Sequence, residues 1–312
     1  MIKLLKHNNI DKTRWNDCIN KSFNGNVYAL SWYLDIVHPE WDALVENDYE
    51  RVMPLTASKK FGISYMFQPF FVQQLGVYST SQLSKNDIDR FINAIPKQYS
   101  LIQYRLNSYN KVDYKSDIIL KHRNVELDLI YDYQYLYSNY NSNTKRNLTK
   151  AEAAGLSIIH DINPEIIINL FRNNRGRNVK HWKDKEYDRL LDLINTAISR
   201  NCCFCVGINN IDNTTIAGAV FMHSHDRIIF LFSGSDEEHK DKHALTMLLD
   251  NVIREFCETQ YTLDFEGSDN DGLARFYKGF GGAEVFYPEV KYNNLKGILK
   301  FIYTLIKEIK TY

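Results

Sequence analysis

Two carboxylates close a predicted strand in the last third of the chain. The segment L-D-F-E (263–266) alternates apolar and acidic residues, so Asp264 and Glu266 are predicted on one strand face, about 6–7 Å apart. Burying two acids together is costly unless they have a partner or a task. Mutual repulsion would raise one pKa toward the range that a general base needs. Asp264 and Glu266 are therefore candidates to orient or deprotonate an amine; the alternative is a solvent-exposed strand end.

A short predicted helix follows the two acids. It covers 270–278 and ends at a glycine-rich segment. Lys278 is its last residue and a candidate to contact an acyl carbonyl or a donor phosphate, whereas the alternative is an ordinary lysine that complements the helix dipole. Arg275 lies one turn earlier on the same face and is a second candidate for substrate binding. Tyr277 and Tyr287 are candidates to contact substrate and to donate a proton to a leaving group.

The predicted elements repeat. Three strands, a helix and a strand are predicted over 50–106, with a further strand at 125–130. The same order is predicted over 203–266, with a further strand at 283–292. This alternation is typical of a layered α/β or α+β domain that is used twice.

Bulk properties exclude several classes of protein. The 312 residues carry a formal net charge of +0, so no global field favours DNA binding. The chain has no signal-peptide pattern and no transmembrane-length apolar run, so we expect a cytoplasmic protein. Its 5 cysteines, an odd number, argue against a disulfide framework, and their spacing does not match a zinc site, so no metal is expected. Walker, G-x-S-x-G and H-E-x-x-H motifs are absent from the sequence.

Three segments, in order along the chain, carry a family resemblance. They are V-M-P-L…Q-P-F-F-V-Q-Q-L-G (52–76), T-K-R-N-L-T-K-A-E-A-A-G-L (144–156) and F-Y-K-G-F-G (276–281). Together they resemble FemAB-type aminoacyl transferases, whose fold is two GNAT acetyltransferase domains in one chain. The resemblance implies that Lys278 stabilises charge at the reacting carbonyl. It also implies that the acyl group comes from aminoacyl-tRNA.

The resemblance and the repeat together predict the domain organisation. We expect a first GNAT-like domain at 1–125, which binds the acceptor without catalysing the reaction. A second GNAT-like domain at 126–295 would carry the chemistry. Residues 296–312 contain a strongly amphipathic predicted helix, which we expect to pack back on the body of the protein rather than lie on a membrane.

The donor site differs from that of acetyl-CoA enzymes of the GNAT type. Those enzymes usually carry Q/R-x-x-G-x-G/A where a helix N-terminus holds the pyrophosphate. The matching segment here, 234–249, lacks these glycines and is rich in acids. Lys240, Lys242 and His243 offset the acids only in part and are the candidate donor-binding residues. Acyl-CoA and aminoacyl-tRNA both stay open as co-substrates, and no permanently bound cofactor is expected.

Basic residues elsewhere predict contacts with an anionic substrate. Arg146 and Lys150 lie on the predicted helix at 142–155, and Arg175 lies in a basic segment that includes Trp182. Guanidinium groups and an aromatic ring suit phosphate contacts and base stacking, so tRNA is a candidate partner. The alternative is an ordinary solvated surface, which the zero net charge favours.

The leading hypothesis is an N-acyltransferase that joins an activated acyl or aminoacyl group to a primary amine. The acceptor would be a cell-envelope (peptidoglycan) precursor or another small amine. One alternative is an acyl-CoA-dependent N-acetyl- or acyltransferase acting on a sugar or lysine amine. The other is a non-catalytic binding module on a degenerate GNAT fold. The sequence does not determine the oligomeric state.

Overall fold

A computed structural model describes residues 1–60, 62–114, 118–179 and 182–295. The C-terminal amphipathic helix predicted within 296–312 lies outside the described residues. In chain order the strands are β1 Ile2–Leu5, β2 Asp42–Glu46, β3 Arg51–Leu55, β4 Ala57–Lys60, β5 Ile63–Phe67, β6 Tyr78–Ser79, β7 Tyr99–Arg105, β8 Ile119–Asp128, β9 Ser157–His160, β10 Cys203–Asn209, β11 Thr215–Ser224, β12 Arg227–Ser235, β13 Thr262–Asp264 and β14 Ala283–Asn293. The helices are α1 Lys12–Lys21, α2 Ser31–Val37, α3 Lys85–Ala94, α4 Tyr133–Ser138, α5 Ser142–Ala153, α6 Pro164–Asn173, α7 Asp184–Ser199, α8 Ala244–Phe256 and α9 Asp271–Lys278.

Most predicted elements are present, and the exceptions have local causes. One of the three strands predicted within 50–106, at 72–78, is reduced to β6. Gly76 has a φ of +106°, and the Asn110 side chain accepts the Val77 N–H that a strand would use. Helix α4 was not predicted, since six residues are too few to show a helical period. None of the helices in the described ranges is long and apolar enough to cross a bilayer.

The chain divides into two compact units. The first unit comprises Met1–His122 with the chain from Phe286, and the second comprises Arg123–Val285. The predicted boundary at 125/126 lies three residues from the observed one. The prediction for the closing strands is wrong, because Glu289–Asn293 of β14 pairs with β7 and Glu126–Asp128 of β8 pairs with β13. Each unit therefore takes its closing strand from the other half of the sequence.

The first unit contains two groups of strands. β1, β2, β3 and β6 form an antiparallel sheet in that order, and β4, β5, β7 and β14 follow one another in a second group. Within the second group β5 and β7 are parallel, and α3 lies between them in the chain. The largest buried side chains of this unit are aromatic and include Trp15, Trp41 and Phe91.

The second unit is built on strands in the order β8, β13, β12, β11, β10, β9. Neighbours are antiparallel except β12 and β13, which are parallel and joined through α8. A continuous core joins α5, α8 and α9 to the sheet through side chains such as Leu248, Leu263 and Phe280. In each unit an antiparallel pair of strands, β4–β5 or β11–β12, is followed by a helix and by a strand parallel to the second of the pair, so the predicted order recurs.

A row of glycines determines how closely α6 approaches the sheet of the second unit. Gly207, Gly218 and Gly234 are direct neighbours across β10, β11 and β12. A Cβ atom on Gly234 would lie 2.2 Å from the Ile167 carbonyl oxygen and 2.6 Å from the Phe171 nitrogen. The α6 backbone thus rests directly on β12, which places the residues at the end of α6 next to the ends of β12 and β13.

A buried charge cluster ties β8, β12 and β13 together. Arg227 Nη1 lies 3.0 Å from Glu126 Oε1 and 3.3 Å from Asp264 Oδ2. Asn124 donates to Asp264 Oδ1 at 2.8 Å. Burial, and then the charge of Glu126, raises the pKa of Asp264 to about 6, although Arg227 opposes this shift. Arg227 therefore compensates two carboxylates that would otherwise be costly to bury.

Gly234→Ala should lower the free energy of unfolding by about 1–3 kcal/mol, because the new methyl group meets rigid α6 backbone. Gly218→Ala is the matched comparison. Its Cβ would meet side-chain carbons of Ile167, the nearest at 2.8 Å, which can move more easily. Urea denaturation of both variants measures the difference. Equal losses would contradict close backbone contact at Gly234.

Arg227→Met should lower the free energy of unfolding by about 3–5 kcal/mol at pH 8, because two buried carboxylates lose their partner. The loss should be smaller at pH 5. The folded-state pKa of Asp264, about 6, lies above its ordinary value of 3.8, so the folded state favours the protonated carboxyl as pH falls from about 6 toward 4. Denaturation at both pH values measures this. The same loss at pH 5 and pH 8 would contradict the charge assignment.

Candidate active site

The parallel strands β12 and β13 part after three residue pairs. They pair from Arg227–Thr262 to Ile229–Asp264, where β13 ends. β12 continues through residues 230–235. Beyond Ile229, the edge of β12 that faces β13 has no strand partner among the described strands. Backbone N–H and C=O groups on this edge are therefore available to a ligand.

A bulge in β12 lies at the same place. Val220 is opposite Phe232 and Phe221 is opposite Phe230, so Leu231 is an extra residue in the β11–β12 ladder. Bulges bend a strand and redirect its side chains and amides. The bulge therefore turns the backbone of β12 at the point where β13 leaves it.

A pocket of about 240 Å³ occupies the gap between the two strands. Most of its lining is apolar and comes from β12, the end of β13, α6, α8 and α9. Its polar side chains are few. The lining residues are Phe171, Arg175, Phe230, Leu231, Phe232, Ser233, Ser235, Leu245, Phe265, Glu266, Gly267, Leu273 and Tyr277. An apolar cleft with a few convergent polar groups is the usual form of a small-molecule site.

Glu266 is the acid in this pocket. Its Oε1 atom is buried and has no hydrogen-bond partner among the described residues. Burial raises the pKa of Glu266 well above the ordinary value of a glutamate. A carboxyl group with a raised pKa and a free oxygen in a cleft is a candidate general base.

The loop that carries Glu266 is held at several points. The Glu266 N–H donates to Asp264 Oδ1 at 3.1 Å, and Ser268 Oγ donates to the Glu266 carbonyl at 2.9 Å. Arg123 Nε donates to the Ser268 carbonyl at 2.8 Å. Glu266 itself has a φ of +49°, a left-handed conformation that turns the chain. The carboxyl is thus positioned by backbone contacts on both sides.

The prediction that Asp264 and Glu266 share one strand face is wrong. The strand predicted over 261–266 ends at Asp264, so the alternation of side chains does not extend to Glu266. Asp264 is 4% exposed, is paired with Arg227 and is absent from the pocket lining. Of the two acids, only Glu266 lines the pocket.

Tyr277 and Arg175 line the pocket together with Glu266. Tyr277 stacks on Phe265 with ring centroids 4.8 Å apart. Burial, and then the charge of Glu266, raises the pKa of Tyr277, whereas Arg175 opposes the shift. Tyr277 therefore keeps its proton at physiological pH. Arg175 begins the short 3-10 helix Arg175–Asn178 that follows α6.

Lys278 and Arg275 lie elsewhere on α9. Lys278 Nζ is 2.9 Å from Glu284 Oε1, its side chain is 45% exposed, and neither residue lines the pocket. Successive residues of a helix point about 100° apart, so a helix that turns Tyr277 to the pocket turns Lys278 away. Arg275 is exposed. Their catalytic and substrate-binding roles stay predictions.

The candidate binding residues Arg146, Lys150 and His243 are brought together near the start of α8. His243 precedes α8 in a left-handed conformation, with a φ of 54°. Burial lowers the pKa of His243, and the nearby positive charges of Lys150 and Arg146 lower it further. His243 is therefore neutral at physiological pH and would act as a hydrogen-bond donor. Leu245, in the first turn of α8, lines the pocket.

One of the acids in the segment before α8, Asp236, is paired locally, whereas Glu237, Glu238 and Asp241 are exposed. Asp236 caps the 3-10 helix Glu237–Lys242 and pairs with His239 Nδ1 at 2.9 Å. Lys242 donates to Asn210 at 2.6 Å, and Lys240 is exposed. Asp236 is thus committed to local contacts, while Lys240 is accessible to a donor.

Two residues that were predicted to contact substrate are packed against other side chains. Tyr287 is 2% exposed, stacks on His122 at 5.4 Å and belongs to the first unit, and its substrate-binding role stays a prediction. Trp182 packs against Phe171 at 5.1 Å and Phe232 at 6.0 Å, so it supports the pocket wall. Lys180 and His181, in the same basic segment, lie outside the described residues.

Several residues of the pocket lining were not predicted from the sequence. Phe171 and Leu231 are examples: their apolar types indicated only core, and neither the strand separation nor the bulge has a local signature. Phe171 stands four residues before Arg175, a spacing that could have linked the two. Within the described ranges, no group of three or more His, Cys, Asp or Glu side chains is arranged to hold a metal ion.

The chain matches a known domain family. Residues 138–278 match the model of the Acetyltransferase (GNAT) domain, and this range contains β12, β13, Glu266 and Tyr277. No curated protein matches the sequence significantly. The comparison by sequence therefore identifies the type of domain that holds the pocket.

Solved structures with the same fold extend over almost the whole chain. FemX has a TM-score of 0.66 and 11% sequence identity, covering 95% of this chain and 98% of its own. A conserved protein of unknown function from Bacteroides thetaiotaomicron has a TM-score of 0.57 at 9% identity, covering 94% of this chain and 100% of its own. L-PGS from Bacillus licheniformis has a TM-score of 0.54 at 9% identity, covering 95% of this chain and 96% of its own.

These comparisons confirm the predicted α/β fold of tandem GNAT-like domains. Residues 138–278 match a GNAT acetyltransferase domain, and the fold of the whole chain is similar to that of FemX.

Proposed function

We propose that this protein is an N-acyltransferase that forms an amide between an activated acyl or aminoacyl group and a primary amine. The reaction takes place in the pocket between β12 and β13. The buried Oε1 atom of Glu266, which has no hydrogen-bond partner among the described residues, carries this proposal, because an amine must lose a proton before it can attack a carbonyl. The GNAT-type match over 138–278 supports the reaction class.

Glu266 acts as the base. The acceptor enters as an ammonium ion and transfers one proton to the Glu266 carboxylate, which leaves a neutral amine and a neutral carboxyl group. The raised pKa of Glu266 narrows the gap to the pKa of an alkyl ammonium, about 10, and so lowers the cost of the transfer. The nitrogen then attacks the acyl carbon; a C–N bond forms and the bond to the leaving group breaks.

The free edge of β12 and Tyr277 supply the remaining groups. Backbone N–H groups beyond Ile229 are fixed donors for the carbonyl oxygen as it becomes negative. Tyr277 stays protonated because its pKa is raised, so its hydroxyl is a hydrogen-bond donor to the leaving group. As the intermediate collapses, the nitrogen loses its second proton and the leaving group takes up one proton. Glu266 then releases to solvent the proton that it accepted, which restores its carboxylate.

The donor is carried on a phosphate-bearing molecule. Arg146 and Lys150 lie near the start of α8, where helix N–H groups favour an anion. CoA and tRNA both present phosphates. The FemAB resemblance favours aminoacyl-tRNA and a cell-envelope amine, and the alternative is acyl-CoA. Separate titrations with CoA and with deacylated tRNA, each against wild type and Lys150→Met, distinguish the two donors.

A non-catalytic binding module is the second candidate. It requires a closed or chemically empty cleft. The open pocket, the buried acid and the protonated tyrosine beside it favour the enzyme.

Glu266→Gln should reduce kcat/KM about 10²–10⁴-fold, because the amide cannot accept a proton. In the wild type, the rate should fall as pH drops through the raised pKa of Glu266, above the pH range in which an ordinary glutamate titrates. The variant should lack this dependence. Mass spectrometry of the acylated amine, with the donor identified by titration, measures both. Full activity in Glu266→Gln would eliminate Glu266 as the base.

Lys278→Met tests the role that the family resemblance implies for this lysine. Lys278 is absent from the pocket lining and forms an ion pair with Glu284. We therefore expect the variant to lose less than tenfold in kcat. Glu284→Gln is the matched control, since it breaks the same ion pair from the other side. Loss of activity in Lys278→Met alone, with Glu284→Gln active, would show that the lysine reaches the substrate during turnover.

A further inference from the structure

Two ionisable side chains that line the pocket, Glu266 and Arg175, have no charged partner among the described residues. Glu266 Oε1 is buried without a hydrogen bond, and the exposed side chain of Arg175 makes no hydrogen bond or ion pair within the described ranges. Several other charged groups of the second unit are paired. Arg227 binds two carboxylates and Arg123 binds Asp271 at 2.7 Å. An unmatched acid and an unmatched base in one cleft indicate a ligand that supplies both counterions.

The two charges occupy different parts of the lining. Glu266 follows β13, whereas Arg175 follows α6, and the two do not form an ion pair with each other in the described structure. Glu266 and Arg175 both lie near Tyr277, because their charges shift the pKa of Tyr277 in opposite directions. The pocket between them therefore has a negative end and a positive end.

We propose that the amine acceptor carries its own carboxylate, as an amino acid does, with its ammonium group at Glu266 and its carboxylate at Arg175. This inference rests on the proposed function and names the substrate class of the same site. Arginine suits this role because its planar guanidinium can bind a carboxylate through two parallel hydrogen bonds.

The walls of the pocket specify the rest of the acceptor. Phe171, Phe230, Phe232 and Leu273 are apolar, so they favour an aliphatic or aromatic side chain over a polar one. The volume, about 240 Å³, lies below the roughly 300–1,000 Å³ typical of drug-sized ligands. A single amino acid, or the end of a longer molecule with the same groups, fits this space.

Arg175 is held by the fold rather than by a flexible segment. The 3-10 helix that it begins follows α6, whose backbone rests on Gly234. Gly176, next to Arg175, is also closely packed, because a Cβ there would lie 2.8 Å from the Phe171 carbonyl oxygen. The arginine backbone is thus placed at a defined distance from the end of β12.

Calorimetric titration with four probes tests the inference on the full chain. The probes are L-phenylalanine, L-phenylalaninamide, phenethylamine and 3-phenylpropionate. L-Phenylalanine carries both charges, the amide and phenethylamine lack the carboxylate, and 3-phenylpropionate lacks the ammonium group. The wild type should bind L-phenylalanine most tightly. Arg175→Met should weaken L-phenylalanine roughly tenfold to a hundredfold and leave phenethylamine unchanged, because only the carboxylate contact is lost. Arg177→Met, an exposed arginine of the same 3-10 helix outside the lining, is the control and should bind all four as the wild type does.

Contrary results separate the inference from the function on which it rests. Equal affinity for phenethylamine and L-phenylalanine, an unchanged Arg175→Met variant, or no binding of any probe would overturn the amino-acid assignment. Acylation of simple amines that still requires Glu266 would leave the proposed function intact in those cases. Activity that survives Glu266→Gln would instead remove the proposed function.

Discussion

The separation of β12 from β13 is the constraint on which the site depends. Two parallel strands that stay paired bury their backbone groups in each other, and no ligand can reach them. Here the pairing stops at Ile229 and Asp264, β12 runs on with a bulge at Leu231, and Glu266 turns the other strand away. The same three features open the pocket, free the β12 amides and place an acid on its wall.

Asp264 and Glu266 are two residues apart, but only Asp264 is paired with Arg227, and only Glu266 lines the pocket. Arg227 neutralises Asp264 together with Glu126, so these acids hold three strands together. Glu266 has no such partner among the described residues, and burial raises its pKa. Environments that push similar groups to different protonation states often mark the division between structural and catalytic roles. The charge cluster also supports the loop of Glu266, because Asp264 accepts the N–H of that residue.

The far wall of the pocket depends on close packing rather than on charge. Gly234 lets the α6 backbone rest on β12, and α6 then delivers Phe171 and Arg175 to the lining. Trp182 packs behind Phe171 and fills the space that the helix leaves. A base, an acid and an apolar surface from three separate elements thus meet within one small cavity. Preorganisation of this kind lets a site act without rearranging its own polar groups.

The sequence by itself determined most of the elements, the repeated order and three residues of the pocket: Arg175, Glu266 and Tyr277. Helical periods, caps and glycine stops are local, so the chain pattern reveals them. Only the tertiary structure decided which strand closes each unit, that Asp264 is an ion-pair partner, and that Tyr287 packs in the first unit. Strand pairing, and the direction of side chains past a strand end, depend on contacts between residues far apart in the chain, and no local pattern records those contacts.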